Sequence, residues 1–172
     1  HPASPLRARL MAVQVKATYS LKGWNGNQLK LRVPQILTAY GQVMDQQLKA
    51  EIQTPQFSWP RTTKRRNGQI VSSPRDIVDL RGLLRSQKRD RPSATQLRFT
   101  WDARGKDGFA YAPLVLTGYS TRRGTVVPGR NWIKPALDAV PLDQFFAKEW
   151  RKLEGLRSEE HTSELQSPYV IS

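Results

Sequence analysis

A long stripe of apolar residues with helical spacing is the clearest pattern in the chain. It runs from Leu31 to Pro55, and its members are Leu37, Tyr40, Met44, Leu48 and Ile52, with Ile36 and Val43 beside them. Pro34 suits a first helical position, and the helix should stop before Pro55 because proline disfavours helix in the residue that precedes it. The pattern predicts a helix of about five turns that contributes the core.

Alternation of apolar and polar residues predicts short strands. Thr95–Trp101 is the strongest of them, and residues 13–17 alternate more briefly before a turn at Trp24–Asn27. Two segments, Phe57–Pro60 and Gln69–Val71, flank a basic turn and suit a hairpin with an exposed tip. A further short strand is expected at residues 125–128.

Shorter helices should connect these strands. Ser73 suits a helix cap with Pro74 at the first position, and Ile77, Leu80, Leu83 and Leu84 would form the apolar face of a helix ending near Ser86. Other helical segments are residues 109–118, closed by glycine, 131–140, and 141–150, which begins at Pro141. Together the elements predict an α+β domain, with a small antiparallel sheet packed against one long N-terminal helix plus short helices.

The two ends of the chain differ from the rest. RSEEHTSELQS, residues 157–167, resembles the translation of a sequencing-library adapter, and residues 1–10 precede a plausible start at Met11. We therefore expect residues 1–10 to be non-native upstream translation, 11–156 to be the single domain, and 157–172 to be an adapter-derived tail. That tail should make few buried contacts, including at Leu165 and Tyr169.

Strong positive charge remains after these ends are set aside, because residues 11–156 hold 25 basic and 11 acidic residues, a net charge of +14. The basic residues gather in three segments that we expect to be loops, and a surface of this kind attracts polyanions. As candidates for contact with DNA or another polyanion we select Lys64, Arg65, Arg66, Lys88, Arg89, Arg91, Arg122 and Arg123. Each loop taken alone could equally be a solvated surface.

Few residues in this sequence could act in catalysis. Cysteine is absent, and both histidines, His1 and His161, lie in the terminal segments. Asp102 and Asp107 flank Gly105 and could hold a metal or act in acid–base chemistry, but aspartates are typical of plain turns. We therefore expect a protein that is not an enzyme and needs no cofactor or metal. No apolar run is long enough for a membrane helix, so we expect no membrane partner.

Three segments between Ile77 and Leu153 resemble a family of phage tail components whose type member is gene product ten of a lambdoid phage. Asp79–Ser86 is similar to its D-T-G-x-L-x-x-S element, Tyr111–Gly118 to Y-A-x-x-x-E-x-G, and Arg130–Leu137 to R-x-F-[LI]-x-P-A. Two positions depart from the pattern: Gly82 lies one place later than the family glycine, and Leu116 stands where an acidic residue is common.

The resemblance implies a structural virion protein of a tailed phage, assembled in the host cytoplasm as a head–tail junction (neck) or tail-completion ring subunit. Its partners would be further copies of itself, the phage connector or head-completion protein, and a tail-tube or terminator protein. A ring lumen would suit basic loops, which can contact DNA without reading its sequence. Aromatic residues near the C-terminus exceed what two short helices bury easily, and we select Trp132, Phe145, Phe146 and Trp150 as interface candidates, although most should belong to the core.

The alternative is a stand-alone basic nucleic-acid-binding protein. It would gain support if exposed aromatic residues lay beside the basic ones as a stacking platform. In the sequence the aromatic residues fall mostly on the apolar stripes instead.

Overall fold

The computed structural model describes the backbone of residues 13–18, 26–77 and 81–164, and the side chains of residues 30–77 and 81–154. The elements in chain order are β1 (Val13–Thr18), α1 (Gly26–Gln53), β2 (Thr63–Lys64), β3 (Ile70–Val71), α2 (Gly82–Ser86), β4 (Gln87–Ser93), β5 (Gln96–Trp101), α3 (Ala112–Thr117), β6 (Gly118–Ser120), β7 (Val126–Pro128), α4 (Ile133–Ala139) and α5 (Leu142–Glu164). The α+β class is confirmed.

Helix α1 carries the predicted core stripe but begins earlier than predicted. Its apolar stripe is buried, with Leu37 and Ile52 completely covered, whereas Val43 is 40% exposed. Pro34 lies inside the helix rather than at its first position, and Gly26 and Asn27 belong to the helix rather than to a turn. The extra turns pack on α5, where Val33 and Phe146 share a buried cluster. This packing outweighs the hydrogen bond that a proline cannot donate.

A three-stranded antiparallel sheet, ordered β1-β5-β4, packs its central strand against α1. Along β5, Leu97, Phe99 and Trp101 are buried while the residues between them are partly exposed, so the predicted alternation is confirmed. The second basic segment, residues 85–91, was expected to be a loop, but its first two residues end α2 and the rest belongs to strand β4, which pairs with β5 from Gln87 onward. Charged side chains suit this edge strand, since they discourage pairing with a further strand.

Gln87 connects the sheet to the long helix. Its Nε2 donates to both the backbone oxygen and Oδ1 of Asp45, at 3.0 and 2.9 Å, and its Oε1 accepts from Trp101 Nε1 at 3.1 Å. The Gln87 side-chain amide thereby satisfies the indole N–H of Trp101, which is completely covered. Burial alone would raise the pKa of Asp45, but hydrogen bonds from Lys49 and Gln87 lower it below its ordinary value.

Two small hairpins, β2–β3 and β6–β7, extend from this core. The first was predicted with Phe57–Pro60 as its leading strand, but the leading strand is Thr63–Lys64. Phe57 instead exchanges backbone hydrogen bonds with Arg75, at 2.9 and 3.0 Å. Because Arg75 is held in this extended bridge, the helix predicted from Pro74 does not form there, and only α2 is helical. Leu80 and Asp79 lie outside the described residues.

The C-terminal aromatic residues divide into two groups. Trp132 is completely buried with its ring edge-on to Trp101, at 5.6 Å between centroids, and Phe146 is 3% exposed. The interface prediction is therefore wrong for these two, since this chain's own core covers them. Phe145 and Trp150 are half-buried, Phe145 against Tyr40 and Trp150 stacked on Phe146. These two stay interface candidates.

The three segments behind the family resemblance meet in one place. Leu83, Ala112, Trp132 and Ala136 share the core cluster with Trp101. Gly82 lies against the Tyr111 ring, where a Cβ would collide with Tyr111 Oη. The backbone N–H of Arg130 donates to Val115 O at 2.7 Å, which joins the second segment to the third.

Helix α5 continues to Glu164, so the described part of the adapter-like segment is helical. Leu165, Tyr169 and the rest of the tail lie outside the described residues, as do residues 1–10. Within the described chain, each helix is too short or too polar to cross a membrane.

Candidate functional site: a basic groove between the hairpins

The two hairpins and the Phe57–Pro60 segment enclose a groove near the C-terminal end of α1. An inner cavity of about 280 Å³ is lined by residues that include Phe57, Arg75 and Arg130. It shares Arg75 and Tyr119 with an outer cavity of about 570 Å³. We call these two cavities, with an adjoining one beside Trp59 and Arg123, the hairpin groove.

Positive charge dominates the hairpin groove. Its basic lining residues are Arg61, Lys64, Arg65, Arg75, Arg122, Arg123 and Arg130. Among the described residues that line it, Asp76 alone is acidic, and this carboxylate is paired with Arg65. The groove therefore offers a concave surface on which several cations have no carboxylate partner among the described residues.

Arg75 is positioned by two aromatic rings. Its guanidinium carbon lies 4.8 Å from the ring centre of Trp59 and 5.1 Å from that of Phe57. These two rings are nearly parallel, with centroids 6.0 Å apart. Burial lowers the pKa of Arg75, and the nearby charge of Arg65 lowers it further, against a smaller opposing influence of Tyr119. Cation–π attraction to the two rings holds this guanidinium in place.

Arg130 lies at the base of the inner cavity and is only 5% exposed. Its Nη2 donates to the carbonyl oxygen of Glu51 at 2.8 Å, in the last turn of α1. Its Nε and Nη1 are buried and have no hydrogen-bond partner among the described residues. Burial lowers the pKa of Arg130, although the carboxylates of Glu51 and Asp76 oppose this. Burying a charged group without hydrogen-bond partners is costly, and for this reason native proteins almost always pair such groups.

The predicted polyanion residues fall in two separate places. Lys64, Arg65, Arg122 and Arg123 line the hairpin groove, while Arg66 lies at the exposed tip of the β2–β3 turn. Lys88, Arg89 and Arg91 lie on β4 instead. Arg91 bonds Pro34 O and Thr38 Oγ1 of α1. Thr38 precedes Glu51 by about 20 Å of helix, so only two of the three basic segments come together.

Sequence reasoning missed the residues that shape the groove, namely Trp59, Arg61, Arg75, Tyr119 and Arg130. Each basic residue among them stands apart from the basic runs, so charge clustering gave no signal. A usable signal was the alternation of Phe57 and Trp59 beside a basic turn, since aromatic residues near cations are typical of nucleic-acid sites.

Comparison with known proteins adds no relative that carries such a groove. No protein-family model, curated protein or solved structure matches this chain. The chemistry of the hairpin groove therefore rests on its own residues, which can bind anions and stack on planar groups.

The two aspartates considered for catalysis serve the turn between β5 and α3. Asp102 Oδ1 pairs with Arg104 Nη2 at 2.9 Å, and Asp107 Oδ1 accepts from the backbone N–H of Phe109 at 3.3 Å. Across the described part of the chain, no three His, Asp or Glu residues gather as a metal site would require. Neither carboxylate lines the hairpin groove.

Proposed function

We propose that this protein is a structural virion protein of a tailed phage, a ring subunit at the head–tail junction or in tail completion. The observation that carries the proposal is the convergence of the three family-like segments. They are spread over about half of residues 11–156, yet Leu83, Ala112 and Trp132 belong to one buried cluster. Residues that resemble a family in order and also pack together support a shared fold.

The hairpin groove has a use in such a ring. A ring at the head–tail junction surrounds the path of packaged DNA, and positively charged walls attract the phosphate backbone without reading bases. The protruding hairpins would carry this charge, and the core would hold them at a fixed angle. Phe145 and Trp150, which are half-buried, are our candidates for contact with the neighbouring copy.

The experiment that tests the proposal is size-exclusion chromatography with light scattering on the full chain, followed by negative-stain electron microscopy. We expect closed rings of several copies. Trp150→Ser should shift the mass toward the monomer, while Trp59→Ser, in the hairpin groove and not on α5, should leave it unchanged. Gene order is a second test: a connector or capsid gene upstream and a tail-tube gene downstream are expected.

A stand-alone nucleic-acid-binding protein is the second candidate. It gains support from one specific observation, that Trp59 and the 42%-exposed Tyr119 line the groove among arginines. A protein that stays monomeric and binds DNA with a steep salt dependence would favour this candidate and contradict the ring.

A further inference from the structure

We infer that the inner part of the hairpin groove is a binding site for a phosphate group, held by Arg75 and Arg130. The inference goes beyond the proposed assembly role, because every residue it uses belongs to one copy of the chain. It can therefore hold whether or not the protein forms a ring.

The first step is the charge that remains inside the cavity. Arg65 and Asp76 pair with each other and largely cancel. Arg75 has aromatic partners and, among the described residues, no ion pair, so its charge is not neutralised locally. Arg130 donates a hydrogen bond to the carbonyl oxygen of Glu51, and the carboxylates of Glu51 and Asp76 act on it only through their charge. Arg75 and Arg130 thus line a cavity in which Asp76, the acidic residue among those that line it, is already paired with Arg65.

The second step is the burial of Arg130. Buried polar atoms in native proteins nearly always have a partner, so each exception needs an explanation, of which a bound ion is one. Among the described residues the exceptions are Trp132 Nε1, in the apolar core, and two atoms of Arg130. These two, Nε and Nη1, belong to a side chain that is 95% covered and lines the cavity. Because Arg130 lines the cavity and is almost fully buried, its charge would attract an anion in the cavity more strongly than it would in water.

The third step identifies the anion as phosphate. Guanidinium groups match the several acceptor oxygens of a phosphate, and two such groups can share one phosphate. The cavity of about 280 Å³ exceeds the size of a single small ion, and it opens past Arg75 and Tyr119 into the outer cavity lined by Arg122 and Arg123. This continuation would follow a chain of phosphates, while Trp59 and Tyr119 would meet planar bases.

The experiment measures phosphate binding by the full chain. Inorganic phosphate is titrated into ¹⁵N-labelled protein, and arginine Nε–H signals are followed by NMR. In a second arm, fluorescence anisotropy follows a labelled oligothymidylate of about twelve nucleotides, with inorganic phosphate and then polyglutamate as competitors. The variants are Arg75→Gln and Arg130→Met. The control is Arg151→Gln on the exposed face of α5, which removes the same charge away from the groove.

We expect phosphate to shift the Arg130 Nε–H signal and Arg75→Gln to weaken oligonucleotide binding about tenfold. Arg151→Gln should change it less than about twofold. Displacement of the oligonucleotide by inorganic phosphate would identify the backbone as the source of the phosphate, whereas a shift without displacement would identify free phosphate. Both support the site.

Three results would overturn the inference: equal losses for Arg75→Gln and Arg151→Gln, an Arg130 signal that does not respond to phosphate, or polyglutamate competing as well as phosphate. Arg75 is part-exposed, so its variant carries the test even where Arg130→Met folds poorly, and circular dichroism melting checks both. Ring mass by light scattering is independent of all three results, so failure here leaves the assembly proposal separately testable.

Discussion

The core beneath α1 buries apolar rings, whereas the hairpin groove at its C-terminal end buries charge. Each region has a buried donor without a partner among the described residues, Trp132 Nε1 in the core and Nε and Nη1 of Arg130 in the groove. In the core, Trp101 is fully covered, its indole N–H bonds Gln87, and its ring meets Trp132 edge-on. In the groove, Arg130 is almost as well covered, yet it carries a charge. Arg130 and Trp132 are two positions apart in sequence, so the chain passes from one environment to the other within a few residues.

This difference suggests that the core determines the stability of the protein and the groove determines its binding. Apolar burial in the core lowers the free energy of the folded state, roughly in proportion to the area covered. Clustered cations without carboxylate partners contribute little to stability or reduce it, so their presence needs another reason. Substitutions in the core should therefore change unfolding, and substitutions in the groove should change binding.

The largest effect is expected at Trp132. Trp132→Ala removes a fully buried ring that packs on Trp101, so the free energy of unfolding should fall by about 3–5 kcal/mol. Leu137→Ala is the matched control, because Leu137 is 39% exposed on α4, the helix that Trp132 immediately precedes, and its loss should cost less than about 1 kcal/mol. Urea denaturation measures both. Equal losses would contradict the placement of Trp132 in the core.

The contact between Gly82 and Tyr111 should give the next largest effect. Gly82→Ala places a Cβ against Tyr111 Oη, so we expect a loss of about 1–3 kcal/mol. In a Tyr111→Phe background the nearest ring atom is Tyr111 Cζ, 3.5 Å from that Cβ, an ordinary contact. Alanine should then be neutral or stabilise slightly, because it favours helix over glycine.

A double-mutant cycle with urea denaturation measures this coupling. It also tests whether the first two family-like segments are in contact, since Gly82 belongs to the first and Tyr111 to the second. Additive losses in the two single variants would show that they do not touch.

Tyr40 should make stability depend on high pH. Burial, with a smaller effect of Asp143, raises the pKa of Tyr40 to about 12, and its hydroxyl donates to Val140 O at 3.0 Å. The unfolded chain loses this proton near its ordinary value of 10.0, before the folded chain does. The contribution of Tyr40 is therefore complete below pH 10 and lost as pH rises toward 12.

Tyr40→Phe should cost about 1 kcal/mol at neutral pH and flatten this alkaline decline. Urea denaturation at pH 7 and at pH values above the ordinary tyrosine pKa compares the two proteins. An alkaline decline that is the same in both would mean that Tyr40 does not cause it.

The smallest effect on stability is expected in the groove. Replacing Arg122 and Arg123 together by Gln should change the free energy of unfolding by less than about 0.5 kcal/mol, since both are exposed. At low salt the variant should be slightly more stable, because repulsion among groove cations is reduced. Thermal melting at two salt concentrations measures this. A large loss in the free energy of unfolding would show that these arginines stabilise the fold, and it would contradict the contrast between the core and the groove.

The sequence predicted the parts of the fold that periodicity controls. The α1 stripe and the alternation in β5 were recognised because each buries one face along a regular period. The start of α1 and the helix expected around Arg75 were predicted wrongly because tertiary contacts decide both. Val33 packs on α5, and the Arg75 backbone pairs with Phe57.

Only part of the candidate site could be predicted. The two basic turns were visible as runs of like charge, and the hairpins bring them together. Arg75 and Arg130 are single arginines whose importance comes from long-range contacts with Trp59 and Glu51. No local pattern encodes such pairs. Trp132, in the third family-like segment, was kept among four interface candidates because local sequence does not show which of the four the core covers.

The most direct test of the proposed ring subunit is the mass of the full chain in solution, measured by light scattering with electron microscopy of the same fractions. The account predicts closed rings with an open centre, which Trp150→Ser converts toward smaller species. A stable monomer that binds DNA with a steep salt dependence would contradict it.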